Sequence, residues 1–234
     1  MRIPILSPLR DFFSSVAWDA AVNSVECFTL GGRRWWWRLH WAAMRHFFLD
    51  PPARVVMRES PALGLPSGQC VYGETPVLTY LTLMRLAEIG SDDVVFDLGC
   101  GRGLGLMGTA LQFGVRATGI EIVPTLVERA SAMSRDLGLE SRVRWIRGNL
   151  LEEDLSEGSI FYVASTTFDR KVMRHLSARL AEVGRNRERE GLRPIRVFTL
   201  TRELFPPFRV TWSHRYPMTW GWATVYCHQL ADDA

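Results

Sequence analysis

From Val94 onward, short apolar runs alternate with longer amphipathic segments, and this alternation restricts the chain to a parallel sheet covered by helices on both faces. Val94–Leu98, Val115–Ile120, Val143–Ile146, Ile160–Ala164 and Ile195–Leu200 read as strands. Helical segments lie between them, from about Gly103 to Phe113, from Pro124 to Gly138 and near Asp169–Val183. Val210–His214 and Ala223–Leu230 suggest a terminal hairpin, and the polar stretch Gly184–Arg193 reads as an exposed loop. Upstream, two aromatic-rich helical segments cover roughly 8–28 and 34–49, the second stopped by Asp50-Pro51-Pro52. Residues 53–73, with Pro61, Gly64, Pro66 and Gly68, read as irregular chain. A helix should then start at Thr75, as cap to Pro76, and end at Gly90. The expected organisation is a helical cap or interaction segment over residues 1–60 and an α/β domain over 61–234.

Composition excludes several alternatives. The 234 residues are 47% hydrophobic and 23% charged, as in ordinary globular proteins. Cys27, Cys70, Cys100 and Cys227 are widely separated and the histidines form no H-E-x-x-H pattern, so no metal site is expected. The net charge of +3 arises among residues 1–60, and no long basic run exists, so a nucleic-acid partner is not expected. Arg10, Asp11 and Asp19 interrupt the first apolar stretch, and no uncharged run reaches the ~18 residues of a membrane span. The expected location is the cytoplasm. Trp35, Trp36, Trp37, Trp41, Phe47 and Phe48 make 34–49 apolar around much of its surface, with Arg34, Arg38 and Arg45 on one face. A packed cap is favoured there over an interfacial membrane helix.

The glycine-rich segment Val95-Phe-Asp97-Leu-Gly99-Cys-Gly101-Arg-Gly103 occupies the turn from the first strand into a helix, where open α/β sheets bind ligands. It is not a dinucleotide fingerprint: read from the strand end, the third glycine of that motif falls at Leu104. No phosphate loop of the G-x-x-x-x-G-K-[ST] type is present either. Asp97 instead places a carboxylate beside the loop, which suits the cationic amino-acid end of a ligand better than a pyrophosphate. Glu121 ends the second strand, where its two oxygens can accept from ribose hydroxyls. Asn149 follows the third strand and is placed to meet an adenine edge, with Leu150 packing on the ring. Three such positions at consecutive strand ends point to a nucleoside carrying an amino acid.

These features resemble class I S-adenosylmethionine-dependent methyltransferases, which implies a Rossmann-like sheet and S-adenosylmethionine as cofactor. Val71-Tyr72-Gly73-Glu74-Thr75, followed by Asp92-Asp93-Val-Val-Phe-Asp97-Leu-Gly99, is similar to the catalytic domain of the disruptor-of-telomeric-silencing type histone lysine methyltransferases. The resemblance spans roughly residues 65–230 and implies Tyr72, Glu74 and Thr75 as cofactor contacts, beside Gly99, Gly101 and Gly103. Where that family carries paired asparagines after the fourth strand, this chain has Ala164-Ser165-Thr166-Thr167-Phe168. Ser165, Thr166 and Phe168 are therefore the expected border of the acceptor site, Ser165 also near the cofactor. A protein lysine is one expected acceptor. The alternatives are a small molecule, as for a tailoring enzyme, and cofactor binding without catalysis.

Overall fold

The computed structural model describes residues 6–64 and 72–231, with side chains from Ala17 onward. Its centre is a seven-stranded sheet in the order β3-β2-β1-β4-β5-β7-β6. Strands β1 (Val94–Leu98), β2 (Arg116–Glu121), β3 (Val143–Arg147), β4 (Ile160–Val163) and β5 (Arg196–Leu200) pair in parallel. The hairpin of β6 (Phe208–Met218) and β7 (Gly221–Leu230) is joined antiparallel to β5. Helices α5 (Leu104–Phe113), α6 (Pro124–Leu137) and α7 (Arg170–Arg189) form the crossovers. The order reverses between β1 and β4, which leaves a crevice at the strand ends where β1 gives way to α5.

Strand residues alternate between two separate cores, as a period of two requires. Val95, Ile160, Tyr162, Phe198 and Leu200 face one helical layer, while Phe96, Leu98, Phe161, Val163 and Val197 face α7. The first layer holds α5 and α6, and also α2 (Arg34–Phe47), α3 (Pro52–Glu59) and α4 (Val77–Leu86). Trp36, Leu39, Ala42, Ala43 and Phe47 bury one face of α2 in that core, as do Val55 and Val56 of α3.

The chain differs from expectation at four places. Residues 52–59 are helical rather than irregular: Pro52 stands in the first turn of α3, so the prolines that stop one helix start the next. A 3-10 turn over Ser60–Leu63 follows, closed by Gly64 at φ +66°; residues 65–71, which include Pro66 and Gly68, lie outside the described residues. Helix α4 begins at Val77, one residue after Pro76, the expected first position. Thr75 does not cap it but meets the Tyr162 hydroxyl at 2.5 Å. A cap comes from far away: Glu26, on α1 (Leu6–Leu30), accepts from the Leu78 N–H at 3.0 Å. The same helix ends at Leu86, ahead of Gly90. Finally, α7 runs on to Arg189, so Gly184–Arg189 is helix and not loop. Gly184 packs under Leu230 and Ile195, where a Cβ would stand 3.1 Å from the Leu230 side chain and crowd it.

Candidate functional site

The glycine loop closes over the end of β1. The N–H groups of Gly99 and Cys100 both donate to the Ile120 carbonyl, at 2.9 and 3.1 Å, tying the loop to β2. Gly99, Gly101 and Gly103 all have positive φ, at +88°, +55° and +72°. Gly101 lies beneath the Tyr72 ring, and a Cβ there would stand 3.1 Å from the Tyr72 hydroxyl. Gly103 admits no side chain at all, because its Cβ would overlap the Trp145 ring. Gly103→Ala is expected to cost about 2–3 kcal/mol of stability, from the left-handed backbone and the overlap together, read as a fall in the denaturant midpoint.

Two acids flank this loop from adjacent strand ends. Glu121 is buried, and its carboxylate accepts from Gly101 N–H at 2.9 Å, Ile122 N–H at 2.8 Å and Val123 N–H at 3.0 Å. Three of a carboxylate's roughly four acceptor positions are thus filled by backbone. Burial raises its pKa, and the three N–H bonds oppose the rise. Asp97 is buried on β1 without such support. Burial pushes its carboxyl up to about 8; the neighbouring Tyr80 hydroxyl acts to lower it, and the Glu121 charge raises it further.

A cavity of about 450 Å³ joins these groups, within the range of small-ligand sites. Asp97, Gly99, Gly101, Gly103, Glu121, Asn149, Leu150, Tyr72, Glu74, Thr75, Thr166 and Phe168 all reach its wall, so the sequence-derived positions converge on one space. Their individual roles differ. The amide of Asn149 is engaged in its own turn, donating to Glu152 at 2.8 Å and accepting from Leu151 N–H at 3.1 Å. Glu74 is held by Arg102 through two bonds of 2.5 and 2.6 Å and by the Tyr72 hydroxyl at 2.5 Å. Arg102 in turn lies over the Phe47 ring of α2, 5.8 Å from its centroid. Ser165 does not reach the wall: it is fully buried, and its hydroxyl donates to the Leu200 carbonyl at 2.7 Å. Its place in the 3-10 turn of Ser165–Thr167 sends it inward and leaves Thr166, Thr167 and Phe168 toward the cavity.

Sequence reasoning missed Val56, Ser60, Tyr80, Tyr162 and Trp220, which also line the cavity. Tyr80 and Tyr162 stack in a tilted pair, centroids 4.8 Å apart, and read in sequence as ordinary core aromatics. Trp220, at the tip of the β6–β7 hairpin, lies against Gly73, where any Cβ would stand 2.6 Å from its ring. The tip also accepts and donates across to Glu74 through Thr219, at 3.1–3.2 Å. In sequence Trp220 was legible only as an aromatic residue beside Gly221 in a turn; its pairing with Gly73 was not.

Residues 95–191 match the methyltransferase domain family. A protein-lysine N-methyltransferase of Saccharolobus islandicus is 33% identical over 90 residues, 38% of this chain and 56% of that protein. A geranyl diphosphate 2-C-methyltransferase of Streptomyces ambofaciens is 34% identical over 76 residues, 32% of this chain and 26% of that protein. The H3 lysine-79 specific histone-lysine N-methyltransferase of Dictyostelium discoideum is 29% identical over 165 residues, 64% of this chain and 9% of that protein. The chain therefore spans about half or less of the length of the curated relatives it matches. Among solved structures, the RNA methyltransferase of Salinibacter ruber in complex with S-adenosyl-L-homocysteine superposes with a TM-score of 0.56 at 25% identity, over 68% of this chain and 95% of that one.

Proposed function

We propose that this chain, whose residues 95–191 match the methyltransferase domain family, transfers the methyl group of S-adenosylmethionine, and that its acceptor is a protein lysine amine. The observation that carries the cofactor assignment is the pair of buried carboxylates, Asp97 and Glu121, at adjacent strand ends around a loop with no side chains in the way. The wall also holds a buried hydroxyl, Ser60 Oγ, that has no hydrogen-bond partner among the described residues. Such an orphan calls for a polar occupant. An amino-acid ammonium suits Asp97, ribose hydroxyls suit the acceptor position left on Glu121, and Leu150 and Leu151 offer an apolar wall for a base.

When bound, the cofactor supplies a methyl group on a cationic sulfur, open to a nucleophile arriving in line. The chain's own part is to hold, orient and exclude water. Asp97 would hold the amino-acid end of the cofactor and Glu121 its ribose. Tyr72, clamped by Glu74 and Arg102, covers the glycine loop, and the Trp220 hairpin tip closes beside it. Thr166 and Phe168 border the acceptor, while Ser165 positions that turn through the Leu200 carbonyl. An amine acceptor must give up a proton before attack, and in this reading the proton passes to solvent.

A lysine acceptor would enter as an extended arm past Thr166 and Phe168 on the cavity wall. The names of two relatives, which act on protein and histone lysine, support the same reading. The second reading, a small-molecule acceptor, rests on the geranyl diphosphate relative.

Calorimetry should show binding of S-adenosylhomocysteine and none of NAD. Because burial holds Asp97 protonated up to about 8, binding of an ammonium there should release a proton, with affinity rising as the pH approaches that value. Binding enthalpies that do not depend on the buffer's ionisation enthalpy would remove Asp97 from the ammonium site. Transfer of labelled methyl to lysine-containing protein, and not to isoprenoid diphosphates, is the expected acceptor result; the reverse establishes the second reading.

A further inference from the structure

Helix α2 has two apolar faces, and only one of them is used. Trp36, Leu39, Ala43 and Phe47 are buried in the core. Trp37, Trp41, Met44 and Phe48 follow a second side at helical spacing, between the buried face and the arginines, and they remain 55%, 61%, 47% and 72% exposed. Leu49, next in sequence, is 83% exposed. A run of large apolar side chains along one exposed line is uncommon on a free protein surface and marks an interaction site. The expected cap and the disfavoured interfacial helix are therefore not exclusive, because the helix can pack inward and still offer an outward stripe.

The charge around this stripe selects its partner. Between Glu26 and Asp50 the chain holds Arg33, Arg34, Arg38 and Arg45 and no acid. Arg34, Arg38 and Arg45 run along one flank of the stripe, four and seven residues apart. Arg45 meets Asp136 of α6 at 3.2 Å, and Arg38 donates to the Leu137 carbonyl at 3.5 Å, an uncharged partner. The flank thus keeps a net positive charge. A second copy of the same face would bring arginine against arginine, with no acid on α2 to answer them. Aromatic rings with flanking arginines instead match the boundary of an anionic lipid surface, where rings enter between headgroups and guanidinium groups meet phosphates. No described helix is long and apolar enough to cross a membrane, so the contact is interfacial.

We infer that the outer face of α2, centred on Trp37, Trp41, Met44 and Phe48, seats this protein on anionic membrane surfaces. The inference does not depend on the acceptor, or on the chain being a methyltransferase.

The test is flotation of the full chain with vesicles of phosphatidylcholine alone and of equal parts phosphatidylcholine and phosphatidylglycerol. Binding is expected to the mixed vesicles and to weaken with added salt, since the headgroup attraction is screened. Trp41→Ala with Phe48→Ala should lower partitioning at least about tenfold, because burying one such ring is worth a factor of that order or more. Arg34→Glu with Arg38→Glu should remove the preference for phosphatidylglycerol. All four positions are exposed, so an unchanged melting curve establishes that each variant is folded. Failure of the full chain to float with the mixed vesicles, or equal flotation of the aromatic variant, overturns the inference. So does a concentration-dependent dimer, seen by sedimentation and broken by the aromatic pair, in a chain that ignores vesicles; that result makes the face an interface between copies.

Discussion

Glu121→Ala is expected to lower affinity for S-adenosylhomocysteine by about a hundredfold or more and to destabilise the free protein by about 2–4 kcal/mol. Both effects come from one carboxylate. It satisfies the N–H groups of Gly101, Ile122 and Val123, two of them just past the end of β2 and the third at the middle of the glycine loop. Alanine leaves those donors without their partner and frees Gly101 from the strand next to it. The loop then loses its shape as well as its acid. Glu121→Gln separates the two contributions. Its remaining oxygen can still accept from Ile122 and Val123, but an NH₂ group would face the Gly101 N–H, donor against donor. Stability should fall less than in the alanine variant, while the affinity loss stays large. Calorimetry on both variants, beside chemical denaturation, gives the comparison. A Gln variant that binds like the parent would show that the carboxylate serves the loop alone.

Asp93→Ala is expected to cost about 3–5 kcal/mol, the largest stability loss foreseen here, with no direct contact to the cavity. Asp93 stands just before β1 and is buried with Arg196 at the start of β5, a residue 8% exposed. The same carboxylate accepts from Gly90 N–H at 2.8 Å and from the Ser159 hydroxyl at 2.7 Å, just ahead of β4. It therefore joins three adjacent parallel strands at their N-terminal ends. Removing it leaves the buried Arg196 guanidinium without its counter-charge; the Ala87 carbonyl still accepts from it, and its Nε has no partner among the described residues. The pH dependence follows from the direction of the Asp93 shift. Burial alone would raise its pKa, but the Gly90, Ser159 and Arg196 contacts outweigh that and hold it below the ordinary aspartate value. A lowered folded-state pKa means that the stabilisation is complete above the unfolded-state value, near 4, and is lost as pH falls through the folded-state value. Asp93→Asn should accordingly show a shallower acid limb in a plot of melting temperature against pH. An acid limb as steep as the parent's would assign acid unfolding to other carboxylates.

The two acids also mark the limit of what could be read without coordinates. Asp97, Glu121 and the glycines between them were legible because their roles depend on local order. A strand end, a turn that requires positive φ and the next strand end lie close in sequence, and strand alternation sets which ends meet. The parallel sheet was legible for the same reason, since runs buried on both faces separated by amphipathic helices have few other ways to pack.

Tertiary structure decided what depended on partners distant in sequence. Thr75 looked like a helix cap, yet Glu26 caps α4 from 52 residues away, because α1 brings a buried carboxylate to that end. Ser165 looked like an acceptor-site hydroxyl, yet the Leu200 carbonyl of β5 draws it inward. Asn149 and Glu74 reach the cavity but spend their polar groups on Glu152 and Leu151, and on Arg102 and Tyr72. Val56 and Ser60 reach it from the N-terminal segment, which no local pattern tied to the site. A side chain's type and spacing state which bonds it is able to make. Which of them it makes is set by competition among partners that only the folded chain brings within about 3 Å.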